Sequence, residues 1–205
     1  MFGFNKKNKS QRTQVEIQNI FETPLWIIPW QGDFFIEEMV GWAYEIQKEK
    51  PLSNNVSNVG GYQSEPLLQN ALPEVAYVYL RQKLSFLPEH TIKTAWVNIN
   101  TKGNFNIAHT HPTSDLALVW YFTDNDNTLT LHNPADHTRF RLHQLGIGDA
   151  VGNCNCKAGD MVLFPADLVH RVNPHRGDNV RISFAANINF VGNNVLRDDS
   201  SPVNI

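Results

Sequence analysis

The 205-residue chain contains no apolar run near the ~20 residues that a membrane span requires. Its start, Met1 to Arg12, is polar and offers no apolar stretch that could act as a secretory signal. Cysteine is scarce. Cys154 and Cys156 are the only two, and they lie too close in sequence to staple a fold, which excludes a secreted disulfide scaffold. Positive charge is not in excess either: 17 Lys and Arg stand against 20 Asp and Glu, for a net charge of −3. That balance argues against a protein built to grip nucleic acid, and favours a protein side chain or small metabolite as partner. These absences together point to a cytoplasmic protein. A 41% apolar content argues against a disordered chain, and the length suits one domain with a core large enough to need no disulfide or structural metal.

What the chain has in quantity is asparagine, 23 residues, along with 12 Gly and 11 Pro. Such a composition suits many turns between short strands. Residues 1–13 read as a solvated tail and 193–205 as a polar C-terminal tail, with a single domain over 14–192. Within it, the stretch 15–30 suggests two short strands, and 33–88 reads as helical support. A first helix is expected from Phe34 to Lys48, with Phe35, Met39, Trp42, Ala43 and Ile46 on one face and Asp33 as its cap. A second is expected from Pro73 to Leu87, with a Ser/Asn/Gly loop at 52–66 between the two. Beyond Thr91 the helical period gives way to short strands with turn signals between them, at 92–100, 105–111, 116–122, 128–133, 138–143, 160–165, 170–173 and 180–190. The expected fold is α+β and mainly β: a jelly roll, or double-stranded β-helix, over 91–190, with the N-terminal helices packed on one sheet.

Three segments carry chemistry. In Ala108-His109-Thr110-His111-Pro112, strand alternation would turn His109 and His111 to one side. Two convergent imidazoles suit a divalent metal, although an edge strand with polar surface gives the same pattern. His170 follows the buried-strand signature Gly159-Asp160-Met161-Val162-Leu163-Phe164-Pro165. In Val180-Arg181-Ile182-Ser183-Phe184-Ala185, alternation puts Arg181, Ser183 and Ala185 on one face and Ile182 and Phe184 on the other. A guanidinium on an inward face needs an anion, supplied by a protein acid or by a ligand carboxylate that its planar fork can grip. His132, His137 and His143 near Cys154 and Cys156 match no zinc spacing, and Cys154-Asn155-Cys156 reads as a loop.

The order His-x-His, then His170, then Arg-x-Ser resembles the Fe(II)/2-oxoglutarate-dependent oxygenase superfamily. The similarity extends over 92–190 and is greatest to a bacterial and phage-type group of these oxygenases. It rests on Trp96-Val97-Asn98, Asn106 to Pro112, Leu118 to Phe122, Gly159 to Pro165, His170 and Arg181 to Ser183, with Gly60-Gly61-Tyr62-Gln63-Ser64 upstream. The resemblance implies an iron-dependent dioxygenase that hydroxylates a substrate while 2-oxoglutarate is decarboxylated to succinate, with dioxygen as co-substrate. It further implies His109, His111 and His170 as Fe(II) ligands, and Arg181 as the anchor for the far carboxylate, helped by Ser183, with Tyr121 or Asn98 adding a hydrogen bond. No separate protein acid or base is implied. The chain departs from the commoner pattern at His111, where the family usually has Asp or Glu. The third ligand could therefore be His111, Asp115 or water, and strand alignment with His109 favours His111. Two other classes compete: a three-histidine cupin-like enzyme working without 2-oxoglutarate, and a non-catalytic jelly-roll binding or structural module. The first needs no cationic anchor at Arg181; the second would pair Arg181 with a protein acid.

Overall fold

A computed structural model describes residues 23–32, 35–67, 71–135, 144 and 151–192. The expected tails, the strand segments at 15–22 and 138–143, Asp33, His137 and His143 lie outside these residues. The chain runs β1 (Trp26–Ile28), α1 (Ile36–Glu49), β2 (Asn58–Val59), β3 (Tyr62–Gln63), α2 (Glu74–Lys83), β4 (His90–Asn100), β5 (Phe105–His109) and β6 (Leu116–Tyr121). It continues through β7 (Asn125–His132), β8 (Val151–Cys156), β9 (Met161–Pro165), β10 (His170–Val172) and β11 (Arg181–Phe190). Two antiparallel sheets result, one in the order β1-β9-β6-β11-β4-β3 and the other β2-β5-β10-β7-β8. From β4 onward the chain crosses between the sheets at every step except β7 to β8, which pair in one sheet, and this is the jelly-roll arrangement expected from the strand spacing.

Both helices cover the outer face of the six-stranded sheet. Met39 and Ala43 of α1 and Ala76 and Leu80 of α2 are buried there with Val97, Leu118, Trp120, Leu163, Ile182 and Phe184. The amphipathic stripe that predicted α1 is thus the stripe that packs. The second helix is shorter than expected: it stops at Lys83, and residues 84–88 form a turn. A separate apolar cluster lies between the sheets, built from Ala117, Leu129, Leu131, Cys154, Cys156, Val162 and Phe164. Cys154 and Cys156 therefore sit on β8 as small buried side chains, and the loop expected there is a strand.

The segment before α1 is latched to β9's turn. Asp160 accepts the Trp30 N–H through Oδ1 and the Lys157 N–H through Oδ2, each at 2.9 Å. Gly159 has φ +92°, and a side chain there would run into the Trp30 indole. The carbonyl of Gly159 also takes the Trp120 Nε1–H at 3.0 Å. The Gly-Asp pair of the sequence signature is therefore a structural latch that leaves β9 in place beside β6.

Candidate metal and carboxylate site

The strands β5 and β10 bring the first two histidines together, with His109 directly opposite His170 in the ladder. The pairing then slips, so that Val172 faces Asn106: three residues of β5 span the distance of two on β10. Such a bulge re-aims side chains. Ile107 and Ala108 both face solvent, while Asn106 and His109 both line the space between the sheets. His111 is not on the strand, contrary to the alternation argument. β5 ends at His109, and His111 opens the next turn, its N–H donating to the Ala166 carbonyl at 2.8 Å. The two histidines converge through a bulge and a turn rather than through strand alternation.

The nitrogen atoms offered by His109, His111 and His170 lie within 4.8 Å of one another. His109 holds the Ile107 carbonyl through Nδ1 at 2.7 Å, and His170 holds the Leu168 carbonyl through Nδ1 at 2.9 Å. With Nδ1 as donor, each ring keeps a free Nε2 lone pair, the arrangement that orients imidazole for a metal. The Nε2 atoms of His111 and His170 are 3.2 Å apart. Two nitrogens about 2.1 Å from one ion would be separated by about 3.0 Å at a right angle and about 3.4 Å in a tetrahedron, so the observed spacing fits a shared ion.

Burial depresses all three histidines. His170 is pushed down to about 3, first by burial and then by His109; His111 to about 4, by burial and His109; and His109 is lowered by burial against the opposing pull of the Ile107 carbonyl. All three are neutral at neutral pH, the form a metal requires. No Asp or Glu joins the group among the described residues. Asp115 is committed elsewhere: its Oδ2 accepts the Phe190 N–H at 2.8 Å.

Arg181 opens β11 on the same cavity and is 2% exposed. Nη1 reaches the Asn173 carbonyl at 3.3 Å and Nη2 the Asn104 carbonyl at 3.5 Å, both long contacts. Among the described residues no carboxylate forms an ion pair with it. Burial pushes the guanidinium down to about 10, opposed by Tyr121, so it is still charged at neutral pH. Beside it, Ser183 is in register with Asn98 on one side and Tyr121 on the other, giving a row of polar side chains across three strands. All three are buried and line the cavity, and Asn98 Oδ1 has no hydrogen-bond partner among the described residues.

The other walls hold residues to which the sequence reading gave no role in the site. Asn100 accepts a hydrogen bond from the buried Asn58 at 2.9 Å, and Asn106 donates to Ser57 at 3.0 Å. Asn100 was readable as the next inward position after Trp96 and Asn98. Gly61 is needed because a Cβ there would collide with the Asn100 amide. Trp96 also lines the cavity, its ring 5.5 Å from that of His111. Trp120, by contrast, is fully buried on the helix side and has no access to the site. His175 is buried, with Nε2 on the Asn179 carbonyl at 2.7 Å.

Comparison with known proteins agrees with this geometry. Residues 94–187 match the model of a family described as "Putative 2OG-Fe(II) oxygenase". No curated protein matches the chain by sequence. Among solved structures, HygX from Streptomyces hygroscopicus, described with nickel and 2-oxoglutarate bound, superposes with a TM-score of 0.61 at 12% identity, covering 83% of this chain and 84% of that one. The non-heme alpha-ketoglutarate-dependent carbocyclase SnoK from nogalamycin biosynthesis gives 0.61 at 14% identity, covering 82% and 79%. A prolyl-4-hydroxylase from Pseudomonas putida gives 0.57 at 14% identity, covering 83% and 94%. At these identities the structural likeness is one of fold. The chain's likeness in both sequence and fold is to the 2OG-Fe(II) oxygenase family, and residues 94–187 carry the sequence match.

Proposed function

We propose that the chain is an Fe(II)- and 2-oxoglutarate-dependent oxygenase in which His109, His111 and His170 hold the metal and Arg181 anchors 2-oxoglutarate. The observation that carries this reading is a buried guanidinium with no carboxylate partner among the described residues, on the same cavity as three neutral imidazoles. A charge left in that state is costly, and a dicarboxylate ligand resolves it.

Bound together, the metal and 2-oxoglutarate supply the coupled oxidation of 2-oxoglutarate to succinate and carbon dioxide, with dioxygen giving one oxygen atom to a substrate C–H bond. The chain's own contribution is positioning. The Ile107 and Leu168 carbonyls fix the His109 and His170 rings with their Nε2 atoms inward. Arg181 grips the far carboxylate, with Ser183 and Tyr121 beside it and Asn98 offering an acceptor. Leu129 and Phe164 wall the cavity against water. With three imidazoles and no acid in the group among the described residues, the charge balance also suits a cupin-like enzyme without 2-oxoglutarate. The unpaired Arg181 favours the oxygenase, since such an enzyme has no use for it.

The test is anaerobic titration of Fe(II)-loaded protein with 2-oxoglutarate, following the visible charge-transfer absorption of the chelate. The proposal expects the band in the wild type, and its loss in His109→Ala and Arg181→Ala. Iron binding without a band would leave the cupin-like reading; failure to bind iron would remove both.

A further inference from the structure

His111 is the least anchored ring of the three. His109 and His170 each hold a main-chain carbonyl through Nδ1. The ring contacts of His111 are the other two histidines and Trp96. Its orientation therefore depends on the backbone that carries it.

That backbone is a turn, His111-Pro112-Thr113-Ser114, closed by the Ser114 N–H on the His111 carbonyl at 3.3 Å. Proline suits the second position, and a positive φ at the third ordinarily calls for glycine. Here the third residue is Thr113, with φ +74°, the one non-glycine residue with positive φ among those described. A β-branched side chain is poorly suited to that region. Lys93 of β4 gives the threonine its use. Its Nζ donates to the Thr113 carbonyl at 2.8 Å and to Thr113 Oγ1 at 2.7 Å. Glycine would offer only the first of these acceptors. Asn189 Nδ2 adds a longer contact to the same carbonyl at 3.3 Å. The far end of the turn is tied to β11 by Asp115, whose N–H donates to the Ile188 carbonyl at 3.0 Å.

We propose that Lys93 is a positioning residue for His111: by gripping Thr113 at two atoms, it holds the turn in the conformation that swings the third imidazole onto the other two. The inference rests on reading the three histidines as a metal group, and the test separates the two claims.

The experiment is titration of the full chain with Co(II) alone, reading affinity and the d–d absorption that reports coordination number. Lys93→Met keeps the apolar stem and removes the donor. It should weaken Co(II) binding about tenfold, the lower end of the loss caused by removing an outer partner of a metal ligand. Lys93→Arg should restore most of that affinity. In a His111→Ala background, Lys93→Met should add nothing, because its effect runs through His111. Unchanged affinity in Lys93→Met, or an equal loss in both backgrounds, overturns the proposal. His170→Ala is the control for the underlying reading. If it retains Co(II), the metal site itself is wrong; if it loses Co(II) while Lys93→Met is silent, only the positioning role falls.

Discussion

Strands β4, β6 and β11 build two faces from alternate residues, and the faces differ sharply in chemistry. Toward the helices they present Val97, Ile99, Leu118, Trp120, Ile182 and Phe184, all buried and apolar. Trp120 is in ring contact there with Trp30, Phe35, Tyr79, Phe122 and Phe184. Toward the second sheet the same strands present Trp96, Asn98, Asn100, Tyr121, Arg181 and Ser183. Among the described residues, this second face holds a buried charge with no acid and an amide oxygen with no partner. Each such group opposes folding. The contrast teaches that the helix-covered face supplies the stability that lets the other face keep groups prepared for a ligand.

Substitutions on the two faces should separate cleanly. The largest effect belongs to the helix side. Trp120→Ala should cost about 3–5 kcal/mol of stability, the usual cost of emptying an aromatic core position, measured by denaturant unfolding. Metal affinity of the folded fraction should be unchanged; a parallel loss of metal binding would break the division between faces. Arg181→Met should act the other way. It should weaken 2-oxoglutarate binding by about two orders of magnitude, since truncating one partner of a buried charge pair costs ~2–5 kcal/mol. Calorimetric titration should find this with metal stoichiometry intact.

Smaller effects sharpen the comparison. Asp160→Ala removes two main-chain hydrogen bonds at the latch to Trp30. It should lower stability by ~1–3 kcal/mol and leave 2-oxoglutarate affinity as it was, since hydrogen bonds to a charged group contribute on that scale. Ser183→Ala should weaken 2-oxoglutarate by about fivefold, the value of one net hydrogen bond of ~1 kcal/mol, with no measurable change in unfolding midpoint. If Ser183→Ala moved stability and not affinity, the row Asn98–Ser183–Tyr121 would be structural.

Much of this contrast was legible in the chain. Alternation in β11 assigned Arg181 and Ser183 to one face and Ile182 and Phe184 to the other because side-chain direction in a strand is fixed by covalent geometry. The α1 stripe was legible for the same reason. The convergence of His109 and His111 was read correctly but on the wrong ground: a bulge and a proline turn do the work, and neither shows in a count of residues. β2 and β3, two residues each, were hidden in the Ser/Asn/Gly loop. They exist through pairing with β5 and β4 and not through local propensity. β8, Val-Gly-Asn-Cys-Asn-Cys, looked like a loop for similar reasons, and its ladder with β7 overrides its weak preference. The role of Thr113 was invisible because it depends on Lys93, which lies 20 residues away in sequence.

The most direct test of the account is denaturant unfolding of the wild type and Arg181→Met, each with and without metal plus 2-oxoglutarate. The account predicts that the ligand-free variant is at least as stable as the wild type, because an unpaired buried charge has been removed, and that the ligands stabilise the wild type much more than the variant. A ligand-free variant several kcal/mol less stable than the wild type, with the same gain from ligand, would contradict it: Arg181 would then hold the fold together and not a carboxylate.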